Sequence, residues 1–65
     1  MPKRVLIIIP VLNEVKNIKP IVNKLKKNNK FDVLFIDDNS KDGTVQNILK
    51  EKKRYKRIFL IRRPK

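Results

Sequence analysis

Two polar clusters in this sequence could do chemistry, and each follows directly on an apolar run. The first is Pro10-Val11-Leu12-Asn13-Glu14, after Val5-Leu6-Ile7-Ile8-Ile9. The second is Asp37-Asp38-Asn39-Ser40-Lys41-Asp42-Gly43, after the run from Phe31 to Ile36. A carboxylate at such a place can accept hydrogen bonds from the N–H groups of a nucleobase or from ribose hydroxyls, and Asn, Ser and backbone groups can complete the contact. Every one of these residues also has an ordinary use. Asn13 and Ser40 form turns and caps, and the stretch from Asp37 to Gly43 is a dense turn signal.

Several phosphate and cation loops are excluded by single residues. Gly43 is the only glycine, so neither the G-x-G-x-x-G dinucleotide turn nor the G-x-x-x-x-G-K phosphate loop can form. The run from Asp38 to Gly43 resembles the start of a calcium loop, but the twelfth position, where a bidentate Glu belongs, is Leu49. The chain has no cysteine and no histidine, which removes the usual ligands of a structural zinc. A bound diphosphate would therefore have to be neutralised by a metal or by basic side chains.

The elements that must position these clusters follow from periodicity. Val5 to Ile9 is a continuous β-branched and Leu run, the pattern of a strand buried on both faces of a parallel sheet, and Pro10 is expected to end it. Ile18, Ile21, Val22 and Leu25 repeat at helical spacing with polar residues between, which predicts an amphipathic helix capped by Asn17, with Pro20 in its first turn and Asn28-Asn29 at its end. Phe31 to Ile36 is a second strand. Thr44 is placed to cap a second helix carrying Val45, Ile48 and Leu49, which fades through Glu51 to Arg54. Ile58 to Ile61 is a third strand. Strand, helix, strand, helix, strand implies α/β architecture, a Rossmann-like half with a parallel three-stranded sheet. In such sheets ligands sit beyond the carboxyl ends of the strands, so the two polar clusters are expected to face one crevice.

At 65 residues the chain is one small domain at most, and a domain of this size buries only about 60% of the surface that its unfolded chain exposes. Eighteen basic residues against six acidic ones give a net charge of +12, which suits polyanions such as nucleic acid or an anionic membrane surface. The charge is uneven: Lys16 to Lys30 and Lys50 to Lys65 are basic, while Asp32, Asp37, Asp38 and Asp42 lie between them. Solvated helix faces account for the lysines without any partner. No apolar run approaches the roughly 20 residues that span a bilayer. Met1-Pro2-Lys3-Arg4 lacks the cleavage site of a signal peptide downstream, so the start reads as mature and cytoplasmic.

Ile9-Pro10-Val11-Leu12-Asn13-Glu14, with Val33-Leu34-Phe35-Ile36-Asp37-Asp38-Asn39-Ser40-Lys41-Asp42-Gly43-Thr44, resembles the opening of the family 2 glycosyltransferases of GT-A fold. The pair is similar to their P-x-x-N-E and D-D-x-S-x-D-G-T motifs. Asn17-Ile18-Lys19-Pro20 and Ile61-Arg62-Arg63-Pro64-Lys65 make it most like the polyprenyl-phosphate (dolichyl-phosphate) mannosyltransferase branch. The resemblance covers essentially the whole chain. It implies that Pro10, Leu12 and Glu14 line a nucleoside pocket, and that Ile36 and Asp38 hold the base and ribose of a nucleotide-sugar. Many relatives carry an aromatic residue where Leu12 stands.

The resemblance further implies an enzyme that transfers mannose or glucose from a nucleotide-sugar donor to a polyprenyl-phosphate lipid at the inner, cytoplasmic face of the membrane. Residues 1–65 would form its N-terminal nucleotide-binding part. A divalent metal, Mg or Mn, belongs to the complete enzyme, and its Asp-x-Asp ligands and the catalytic base lie further along than this stretch. Asp37 braces the loop or touches ligand, and Asp42 and Thr44 turn the chain and cap the second helix. The rival readings are a small basic nucleic-acid-binding module, which would want exposed aromatics where only Tyr55 is expected to be exposed, and a non-catalytic remnant.

Overall fold

The computed structural model describes residues 4–27 and 30–63. The elements in chain order are β1 (Val5–Val11), α1 (Val15–Leu25), β2 (Phe31–Asp37), α2 (Thr44–Arg54) and β3 (Ile58–Arg62). The strands form one parallel sheet in the order β1-β2-β3, with Ile7 beside Val33 and Val33 beside Ile58. The predicted βαβαβ arrangement is present.

A sheet whose spatial order equals its chain order moves the same way at each crossover, and right-handed crossovers that move the same way put their helices on one face. Burial follows that rule. Val11, Val33, Phe35 and Ile58 point towards Ile18 and Val22 of α1 and Ile48 of α2, and together they make the core. The alternate strand positions face the other side, where Leu6, Ile8, Phe59 and Ile61 are about half exposed, at 47–56%. Among the described residues only one face of β1 is covered. An apolar run has the apolar residues for two covered faces, but both helices of this chain serve the same one.

Three boundaries also differ from expectation. Pro10 does not end the first strand but lies within β1 opposite Ile36. The Val5 amide donates to the Lys30 carbonyl, and the Val11 carbonyl accepts from the Asp38 amide, both at 3.0 Å. Odd positions of β1 thus bond to β2, and the even position of Pro10 addresses the open edge, where a missing N–H removes no ladder bond. Asn17 does not cap the first helix. Glu14 occupies the N-cap position of α1, and Pro20 is its sixth residue, inside the helix. α1 runs to Leu25, and the Asn28-Asn29 stop lies outside the described residues. Thr44 is the first residue of α2, with Gly43 at the N-cap position in the left-handed region at φ 92°.

The amino end of the sheet is closed by polar contacts well away from the carboxyl-end loops. Arg4 donates to both carboxylate oxygens of Asp32, at 2.9 Å from Nη2 to Oδ1, and Arg57 reaches the same carboxylate at 3.4 Å. The Arg4 hydrogen bond, ahead of the charge attraction of Arg4 and Arg57, holds the Asp32 carboxyl below the usual carboxylate range. Tyr55, expected to be exposed, is half-buried against the core, and its hydroxyl donates to the Phe31 carbonyl at 2.6 Å.

The core predicts two different losses. Ile48→Val removes one buried methylene and lowers unfolding free energy by about 0.5–1.5 kcal/mol, whereas Phe35→Ala costs about 3–5 kcal/mol. A core this small rarely supplies more than about 3–5 kcal/mol in total. Ile48→Val should keep a cooperative thermal transition in circular dichroism, at lower temperature, and Phe35→Ala should show none.

Candidate functional site

The β1–α1 and β2–α2 loops meet at the carboxyl end of the sheet and are bonded to each other along their length. The Asn13 amide donates to Ser40 Oγ at 2.9 Å, and the Lys41 amide donates back to Asn13 Oδ1 at 2.8 Å. The Glu14 amide donates to Thr44 Oγ1 at 3.0 Å, and Asn47 Nδ2 donates to the Val15 carbonyl at 3.0 Å. Asn13 and Asn39 adopt left-handed conformations, at φ 51° and 65°, which Asn tolerates better than most residues with a Cβ. Those two turns let each loop reverse and present its polar groups to the other.

Asp42 joins the two helix N-termini. Its Oδ2 accepts from the Val15 amide at 3.2 Å and its Oδ1 from the Thr44 amide at 3.0 Å, so the first residue of each helix donates to one carboxylate. The Thr44 hydroxyl also donates to Asp42 Oδ1. That hydroxyl bond, followed by the backbone amides, holds the Asp42 carboxyl below the usual carboxylate range. This explains both shifted helix starts: the cap of α1 comes from across the chain, and Thr44 serves the Glu14 amide instead of forming the cap of α2. Asp37 is fully buried at the end of β2. Its Oδ2 accepts from the Ser40 amide at 3.0 Å, while the described residues offer Oδ1 no donor.

Between the loops lies an open cleft of about 280 Å³, lined by Leu12 and Asn13 from one side and Asp38, Asn39 and Lys41 from the other. The predicted crevice is therefore formed by the two clusters. Of the five residues singled out from sequence, Leu12 and Asp38 line it, and both are exposed. Pro10 and Ile36 are register partners on the open face of the sheet, and Glu14 is half-buried at the start of α1. None of those three lines the cleft.

A family model for "Glycosyl transferase family 2" matches residues 6–65. The chain belongs to that family. Over 49 residues it is 45% identical to the UDP-N-acetylglucosamine–dolichyl-phosphate N-acetylglucosaminyltransferase of Methanococcus voltae, a match covering 75% of this chain and 19% of that protein. Its fold superposes over its full length on a mannosyltransferase of Pyrobaculum calidifontis, solved with GDP-Man and Mn2+, with a TM-score of 0.86 and 21% identity. That match covers 21% of the Pyrobaculum chain. The family 2 chain thus has the Rossmann-like βαβαβ half of a GT-A fold, and it spans about one-fifth of the length of the proteins it matches.

In this family 2 chain, Asn13 and Asn39, which the sequence offered as groups able to complete a ligand contact, line the cleft, and so does Lys41, which it did not single out. The usable signal was Asn in a turn after a strand, since a left-handed turn directs the next residues back over the strand end. The described residues contain no group of three or more His, Cys, Asp or Glu side chains placed to hold a metal ion. Asp42 is committed to amides and Asp37 is buried, so these residues do not furnish a divalent-cation site. Among the described residues no helix is long and apolar enough to cross a membrane.

The shared cap carries a pH signature. Asp42 titrates lower in the folded chain than in the unfolded one, so its stabilisation is present above the ordinary carboxylate pKa of about 3.9 and is lost as pH falls through the folded value. Asp42→Ala should lower the urea midpoint at pH 7, and its deficit against wild type should shrink as pH is taken below 4. Asp32 acts in the same direction in both proteins, so the comparison is made between them at each pH. Asp42→Asn, which keeps one acceptor oxygen, should fall between the two at pH 7.

Proposed function

We propose that this chain is the donor-nucleotide-binding part of a glycosyltransferase that moves a sugar from a nucleotide-sugar to a polyprenyl-phosphate lipid. The observation that carries the reading is the cleft at the carboxyl end of a parallel sheet, with the Asp38 carboxylate exposed in its wall. Asp38 accepts from the ribose hydroxyls or base N–H groups, and Leu12 contributes an apolar surface to the nucleoside. Pro10, Glu14 and Ile36 belong to the reading through the family motifs, as supports at the strand ends. Family membership supports nucleotide-sugar chemistry in general, and the Methanococcus voltae relative is named for a dolichyl-phosphate acceptor.

Mannose or glucose is the sugar implied by the resemblance, while the names of the two similar proteins carry N-acetylglucosamine and mannose. A Mg or Mn ion is part of the proposal for the complete enzyme, and its place is not among the residues described. Residues 1–65 are read as the nucleotide-binding part of that domain, working at the inner membrane face. The lysines exposed on the helices, among them Lys16, Lys19, Lys50 and Lys53, suit an anionic lipid surface.

Calorimetry with UDP- and GDP-sugars tests the reading. A hydrogen bond to a charged acceptor contributes about 1.5–3 kcal/mol, so Asp38→Asn should weaken nucleotide affinity by roughly 10- to 150-fold while leaving the thermal melt in place. The reading fails if wild-type protein binds no nucleoside diphosphate, or if Asp38→Asn binds as tightly as wild type.

A further inference from the structure

Two residues of opposite charge line the same cleft, Asp38 and Lys41. Among the described residues neither is joined to the other or to any other charged group, the ion pairs being Arg4–Asp32, Arg57–Asp32 and Arg54–Glu51. Lys41 is nevertheless held in position. Its amide donates to Asn13 Oδ1 on the facing wall at 2.8 Å, which fixes its main chain, and its ammonium swings on a four-carbon stem from that fixed point. Among the described residues Lys41 is the one cation of the cleft wall.

A ligand that satisfies this wall must offer donors to the carboxylate and negative charge to the ammonium. Nucleoside diphosphates carry both. The only glycine is Gly43, the N-cap residue of α2, so no glycine-rich turn cradles phosphate here with main-chain amides. The amides that open α1 and α2 are already taken by Asp42. Phosphate charge at this cleft is left to a metal or to basic side chains, and among the described residues Lys41 is the basic side chain that lines it.

We propose that Lys41 is a phosphate-binding residue, contacting the diphosphate of the donor while Asp38 holds the nucleoside. The proposal rests on the nucleotide reading of the cleft and adds to it which part of the donor each charged group selects. Lys41 acts as a point charge, so its contribution depends on phosphate and not on the base.

The test is calorimetry at fixed ionic strength with nucleoside and nucleoside diphosphate, in the uridine and guanosine series, on wild type, Lys41→Gln, Lys41→Arg and Lys24→Gln. Lys41→Gln should weaken diphosphate binding about fivefold, the upper end of what an exposed ion pair gives, and leave nucleoside binding unchanged. Lys41→Arg should restore most of the loss. Lys24→Gln, which removes the same charge from the last turn of α1, should change neither. If wild type binds both ligands and Lys41→Gln keeps their affinity ratio, phosphate is held elsewhere and the Lys41 assignment is wrong, while the nucleotide reading stands. Equal loss of both ligands in Lys41→Gln, with a lowered melt, also overturns it in favour of a structural role. If wild type binds neither ligand, the cleft reading and the Lys41 assignment fall together.

Discussion

An α-helix begins with amides that have no acceptor inside the helix, and in this chain two helices begin side by side at the same end of one sheet. Those amides need acceptors at a place where a negative charge is also favoured by both helix dipoles. Asp42 meets the need for both, with one carboxylate oxygen for Val15 and the other for Thr44. The rest of the site depends on that arrangement. With the helix starts pinned to a common carboxylate, the Thr44 hydroxyl is free to take the Glu14 amide, and Asn13 lies where it can exchange hydrogen bonds with Ser40 and Lys41. The cleft is the space left over when these loops have been fastened together.

The division of labour among acidic residues follows from the same geometry. Of six carboxylates in a chain of net charge +12, Asp32 closes the amino end of the sheet, Glu51 is buried beside Arg54, Asp37 is buried under the β2–α2 loop, and Asp42 caps the helices. Glu14 is half-buried at the first helix start. Asp38 alone is both exposed and in the cleft wall. Two adjacent aspartates thus have opposite fates because consecutive positions at a strand end point to opposite sides of the sheet. Asp37 turns in towards the helices, and Asp38 turns out towards solvent.

The elements were legible in the sequence because their signals are local. Apolar runs marked all three strands, and the spacing of Ile18, Ile21, Val22 and Leu25 marked the first helix. The boundaries were less legible because they are set from a distance. Asn17 has the right side chain for a cap, but an acceptor from Asp42 let the helix start three residues earlier. Pro10 is a usual strand terminator, and its harmlessness here depends on which edge of β1 is paired. The open apolar face was not legible at all, since Leu6, Ile8, Phe59 and Ile61 read the same whether or not something covers them. For the site, the strand ends located the crevice and Asp38. Lys41 escaped notice because a lysine in a polar turn looks like every other lysine of a basic chain until the fold shows which cleft it borders.

The bonds that shape the cleft join residues 27 to 32 positions apart in the chain. Closing such long loops costs entropy that must be met before their contacts give anything back, so neither wall has its shape until β1 and β2 are paired and both helices are seated. The cleft therefore belongs to the folded state alone, and by mass action whatever occupies it draws the folding equilibrium with it. A ligand at 100 times its dissociation constant adds about 2.7 kcal/mol to the folded state, comparable to what so small a core supplies by itself. For this chain, occupancy of the cleft and possession of a fold are two readings of one equilibrium.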